Sequence, residues 1–296
     1  MKWYSSTRNK VLLIGPTLLV YLSYIVAPII IATYYSFTKF SGIGKPEPVG
    51  FANYARLLND PLFVIALKNT AIVLAVTLLV LIPGAFGLSL LMRRSVRGMA
   101  VVRAINFAPS IIAPILVGLI WVFILDPHIG LLNGVLRAIG LDQLALQWIG
   151  GDTLTPFSLA IVQSWQSLGY IATIFLAGLT LIPGELYEAA SIDGASGRQQ
   201  LFHITIPLMN ETFKMNIILV ITLVFKIFET VIQLTGGGPN HLSELLVTYM
   251  YWTTFTSGEY GYGMSIAVTT VLITLAAAVL ILGIPAIYRR FSRKEA

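Results

Sequence analysis

Residues 182–205 read IPGELYEAASIDGASGRQQLFHIT, a polar stretch between two long apolar ones. Its residues parse as two short helices. Pro183 and Gly184 break what precedes them, and Glu185 and Glu188 follow in the first turns of a helix, where carboxylates suit the helix dipole. Gly194 fits a helix end that needs positive φ. Ser196 with Gln199 three residues on reads as a capping box starting a second helix. Pro207 is expected to begin the next apolar span, where its missing N–H costs little. Ala189 and Ala190 are small and give the first helix a smooth surface that another protein can approach closely. A plain connector between spans needs far fewer residues.

On either side the chain is charge-starved. Only 11% of its 296 residues are charged and 56% are apolar, against about 25% charged in a typical soluble domain. Charge-free stretches run over 11–38, 69–92, 104–125, 153–184 and 260–288. Each exceeds the ~20 residues that cross a bilayer as a helix. A sixth, 207–234, carries Lys214, Lys226 and Glu229. The expected fold is therefore an all-α membrane protein of six transmembrane helices, a single domain over 1–296. Segment 182–206 is a loop within it.

The Lys and Arg residues orient the bundle. With the N-terminus inside, Lys2, Arg8, Lys10, Arg93, Arg94, Arg97, Arg103, Arg198, Lys214, Arg289, Arg290, Arg293 and Lys294 are cytoplasmic. They outnumber Lys39, Lys45, Arg56, Lys68 and Arg137 outside, so both termini are expected in the cytoplasm. The net charge of +6 is thus topological, and nucleic acid is not an expected partner. The basic, then apolar N-terminus has a longer apolar run than the about 7–15 residues of a signal peptide and reads as an uncleaved span. Pro28, Pro83, Pro109 and Pro114 lie inside spans and are expected to kink them. Two long outer loops, 41–68 with an amphipathic stretch at 53–67 and the glycine-bearing 126–152, either meet an external partner or cap the bundle.

The chain has no cysteine, and its three histidines form no metal spacing. No nucleophile–base pair or paired carboxylates stand out, which argues against an enzyme. There is no G-x-x-x-x-G-K-[ST] phosphate loop. Energy must then come from another subunit or from an ion gradient.

Glu188-Ala189-Ala190, three residues, Gly194, nine residues, Ile204, one residue and Ile206-Pro207 resembles the EAA motif. That motif marks the permease subunits of binding-protein-dependent ABC importers. Phe51-Ala52-Asn53-Tyr54, Asp60-Pro61 and Asn69-Thr70 resemble the first outer loop of the sugar branch. Leu234-Thr235-Gly236-Gly237-Gly238-Pro239, followed by Tyr249, resembles its later outer loop. The resemblance, of the maltose and glycerol-3-phosphate type, implies a type I ABC importer permease core in the bacterial inner membrane. It implies sugar import coupled to ATP and Mg held by a separate ATPase dimer, with no cofactor in this chain. It also implies a second permease subunit and an extracytoplasmic sugar-binding protein, in a setting of membrane lipid. In that family the loop is a coupling helix seated on the ATPase. The positions carried over are Glu188, Ala189, Ala190, Asp193, Gly194, Ile206 and Pro207, although the family pattern has Leu where Ile206 stands.

For the substrate path, 163–170 supplies Gln163, Trp165, Gln166 and Tyr170, the amides and aromatic faces that bind sugars. Lys226 and Glu229, at helical i, i+3 spacing, can face each other, with Gln233 continuing their side. One reading makes the pair a polar wall of the path; another makes it an ion pair that fixes helix packing. The positions that match the family's inward face there, Leu223, Val224 and Ile227, are apolar, as suits a smooth passage. The alternative function is an ion-coupled secondary transporter with Lys226 and Glu229 as the relay. A scaffold without transport is a third reading.

Overall fold

The computed structural model describes residues 7–94, 96–151 and 153–292. Lys2, Arg293 and Lys294 lie outside them. Among the described residues four helices are long and apolar enough to cross a membrane: Val11–Ser36, Pro61–Met92, Thr155–Thr180 and Tyr260–Ile281. Two bent pairs pass the same test together, Met99–Ile111 with Pro114–Leu125 at 98° and Gly197–Leu208 with Asn210–Val224 at 65°. Counting each pair as one span gives six.

Prolines explain the first bend. Pro114 has no N–H to donate, and its ring pushes Ala113 to an extended ψ of 134°. Pro109 lies in the 3-10 turn just before it. Pro83, by contrast, sits within the unbroken Pro61–Met92 helix. At Pro28 the chain widens into a π turn over Leu22–Val26 and runs on as helix.

The described residues fall into two compact units. One holds the residues up to Phe63 and Tyr249–Ile273. Its amphipathic stretch is not one element over 53–67. Ala52–Leu58 is a separate helix, and the span begins at Pro61, eight residues before the charge-free run, so Lys68 is helical. The joint is Asp60, whose carboxylate accepts from the N–H groups of Leu62 and Phe63, as an N-cap does. Asp60 also accepts from the hydroxyls of Tyr249 and Tyr262. Asn53 donates to the carbonyls of Ser36 (2.8 Å) and Thr38 (2.9 Å). Arg56 meets Glu259 through both nitrogens, at 3.0 and 2.7 Å, and lies 3.9 Å over the Tyr262 ring.

The other unit holds Val64–Thr248 and the residues from Thr274. Its centre is Thr155–Thr180, the most buried of the long helices. Phe86, Phe175 and Phe213 form a triangle with centroids 4.8–5.5 Å apart, joining three helices in one aromatic core. Glycines set the close approaches. A Cβ at Gly169 would fall on the Asn106 carbonyl, and one at Gly118 would lie 2.7 Å from the Gln233 Cβ. Asn69 donates to the carbonyls of Leu242 and Glu244, and Thr70 accepts from the Leu246 N–H. In the second long loop Asn133 is buried and ties Pro127, Leu146 and the Trp148 indole together.

Candidate transport cavity and exposed loop

Two features of the Val64–Thr248 unit bear on function. The first is a cavity of about 570 Å³. The Thr155–Thr180 helix contributes Gln163, Gln166, Ser167 and Tyr170. Gln163 donates to the Ser167 hydroxyl (2.9 Å) and Gln166 to the Ile112 carbonyl (3.1 Å), which fixes both amides. Gly169 lets the 106–107 backbone press against the same helix, bringing Phe107, Ser110 and Ile111 to the opposite wall. Lys226, Phe228, Glu229 and Thr230 complete the lining, with Pro114, Leu223 and Ile227 as apolar wall.

Here the backbone departs from the helical reading of 207–234. Asn210–Val224 ends before Lys226, and a new helix starts at Glu229. Lys226 and Glu229 therefore do not sit one turn apart on a helix, and neither side chain makes an ion pair or hydrogen bond among the described residues. Both are exposed and line the cavity. A break in a membrane helix frees backbone polar groups, and such breaks persist where they are enclosed by protein or line a watered space. The interruption and the cavity are thus one feature.

Two further path residues lie elsewhere. The Trp165 ring packs edge-on against Trp121, centroids 5.5 Å apart. Gln233 packs its stem over Gly118. Neither lines the cavity, and nor does Val224, which is buried. Phe107, Ser110 and Ile111 carried no sequence signal, because a bend and a glycine contact bring them in; Phe228 and Thr230 enter at the helix break after Val224.

The second feature is the 182–208 segment. Glu185–Ile192 is helical, and Gly194 has φ +78°. The Ala195 N–H returns to the Ala190 carbonyl (2.8 Å), a Schellman-type closure. Ser196 and Gln199 form the capping box in both directions. Two side-chain bonds brace the helices across the turn: Tyr187 to Thr205 at 3.0 Å and Gln200 to Ser191 at 2.9 Å. Glu188, Ala189, Asp193 and Gly194 are exposed and Ala190 is half-buried. Ile192 stands 87% exposed, an apolar side chain offered outward.

Pro207 does not begin the next span. It lies inside the Gly197–Leu208 helical run, the first half of a bent pair whose second half starts at Asn210 beyond a 65° bend. A proline at 207 cannot donate to residue 203 and crowds its carbonyl. The Leu201–Thr205 turn opens to π geometry just there. Pro207 is exposed and Ile206 half-buried.

A helical multi-pass membrane protein, with a cavity of mixed polar and apolar lining walled by its spans and a braced helix–turn–helix left exposed, is a membrane permease by class. The chain belongs to the family described as "Binding-protein-dependent transport system inner membrane component", whose model matches residues 84–295. It is 36% identical to the probable ABC transporter permease protein YurN of Bacillus subtilis, over 88% of this chain and 91% of that one. It is 31% identical to the probable starch degradation products transport system permease protein AmyD of Thermoanaerobacterium thermosulfurigenes, over 91% of each. Its fold matches a chain from the crystal structure of a bacterial ABC transporter involved in the import of the acidic polysaccharide alginate. There the TM-score is 0.80 at 23% identity, covering 97% of this chain and 98% of that one. The resemblance read from 188–207 thus holds at the level of the family.

Proposed function

We propose that this chain is a permease subunit carrying a di- or oligosaccharide inward, driven by ATP and Mg on a separate ATPase dimer. It works beside a second permease subunit and receives sugar from an extracytoplasmic binding protein. Both termini and the 182–206 loop face the cytoplasm. The observation that carries the reading is one of placement: the Thr155–Thr180 and Asn210–Val224 helices, which flank the exposed loop in sequence, also lead to the cavity lining. Amides, a tyrosine and two charged groups over apolar wall suit a hydroxyl-rich ligand with an apolar sugar face. Names among the relatives agree with a carbohydrate. One is a diacetylchitobiose uptake permease of Streptomyces coelicolor, 30% identical over 90% of this chain and 79% of its own length.

In this mechanism Glu188, Ala189, Ala190, Asp193 and Gly194 contact the ATPase, and Ile206-Pro207 carries the loop into the span. ATP closes the ATPase dimer and the loop moves with it. The bundle follows because ATP binds the closed arrangement more tightly than the open one. Gln163, Gln166, Tyr170, Lys226 and Glu229 face the moving sugar. Trp165 and Gln233 support these walls from behind. The test is Glu188→Lys or Gly194→Asp in the assembled complex. Substrate-stimulated hydrolysis and uptake fall together while membrane insertion stays normal; unchanged hydrolysis and uptake contradict the coupling role.

A further inference from the structure

The exposed loop is also tied to a helix that does not adjoin it in sequence. The Pro61–Met92 helix ends, and the next residue, Arg93, lays its guanidinium over the Tyr187 ring, 4.7 Å from the centroid. Tyr187 is half-buried and its hydroxyl meets Thr205, which is 3% exposed. One aromatic side chain therefore touches the end of a span on its face and the second loop helix at its tip. The turn that carries Arg93 is held from the other side, where Arg103 donates to the Met92 carbonyl. Met92 is itself buried.

We propose that Arg93 and Tyr187 form a strut that passes displacement of the 182–205 loop directly to the Pro61–Met92 helix. This rests on the coupling role assigned to the loop above. Without the strut, loop motion reaches that helix through packing among the spans, as at the aromatic triangle of Phe86, Phe175 and Phe213. With it, the cytoplasmic end of the helix moves with the loop. Both are positioning residues: neither lines the cavity, and neither is among the exposed residues proposed to meet the ATPase.

The strut predicts a loss of coupling, read as sugar imported per ATP hydrolysed by the assembled complex in vesicles. A cation held over a ring at a partly exposed site corresponds to a factor of about two to five. Arg93→Gln should lower the ratio by that factor, and Arg93→Lys should restore most of it by keeping a cation over the ring. Tyr187→Leu should lower it at least as far, with Arg93→Gln adding nothing in that background, as expected of two groups acting through each other. Should Arg93→Gln assemble poorly, Tyr187→Phe reads the other end. It keeps the ring and loses the Thr205 bond, lowering the ratio about two-fold. An unchanged ratio in the variants that assemble, an Arg93→Lys as impaired as Arg93→Gln, or two losses that multiply overturns the strut. Glu188→Lys measured beside them keeps the two ideas apart. If it abolishes coupling while the strut variants do nothing, the loop reading stands and the strut falls. If it too does nothing, the loop reading falls first.

Discussion

The 182–208 segment and the 223–234 segment both interrupt a helical path, and they do so in opposite ways. In the first, side-chain bonds close the interruption: Tyr187 to Thr205, Ser191 to Gln200, Ser196 to Gln199. In the second, the helix stops at Val224 and restarts at Glu229, leaving Lys226 and Glu229 exposed to the cavity. In the proposed mechanism the first keeps its shape while it moves, and the second holds charged groups ready for whatever passes. A permease needs both, a rigid handle and an adaptable path.

Breaking the walls of the second region should have the largest effect. Gly169→Val puts a branched side chain against the Asn106 backbone, where not even a Cβ fits. Overpacking of this kind costs about 1–3 kcal/mol or more. Thermal unfolding in detergent should shift down and uptake should be lost with it; an unshifted midpoint would mean that the 106–107 segment does not press on this helix. Next is the pair itself. Lys226→Met with Glu229→Gln should reduce uptake about ten-fold, as expected for loss of charge-assisted hydrogen bonds to sugar. Its ratio of sugar to ATP should hold, since the handle is untouched. Normal uptake would leave the two residues no part in the path.

The handle is sharpened by a smaller change. Ser196→Ala removes the cap of the second loop helix, worth about 1 kcal/mol. Faster amide exchange is expected over 197–200 with little change at the cavity, and unaltered exchange there would show that the Tyr187 and Gln200 braces suffice alone.

A pH effect from outside both regions is the smallest. Burial pushes the Asp60 carboxyl up, but the Tyr249 and Tyr262 hydroxyls and the Leu62 and Phe63 N–H groups outweigh it and hold the group below its ordinary value. Folded Asp60 thus binds protons less readily than unfolded Asp60. Its stabilisation is present above the unfolded pKa of about 4 and is lost as pH falls through the lower folded value. The midpoint of unfolding should drop in that acid window, and Asp60→Asn should flatten the drop. A drop of the same size in the variant would assign it to other carboxylates.

The handle was legible in the sequence because its signals are local. Gly194 needs its own positive φ, and Ser196 and Gln199 cap each other three residues apart. The cavity was legible only in part. Gln163, Gln166 and Tyr170 share the cavity because one helix carries them. Phe107 and Ser110 reach it through a proline-driven bend and the Gly169 contact, which no periodicity encodes. The stop after Val224 has neither proline nor glycine to announce it, so a continuous helix was the natural reading of Lys226 and Glu229. Pro207 misled in the same way: it loosens a helical run into a π turn instead of opening a span.

The most direct test of the account is the energy source. Vesicles holding the complete complex should import sugar when ATP is supplied at the ATPase face, and should continue when ionophores collapse the proton and sodium gradients. Vesicles holding this chain alone should import none. Import by the chain alone that stops when a gradient is collapsed would contradict the account and make Lys226 and Glu229 the relay of an ion-coupled carrier.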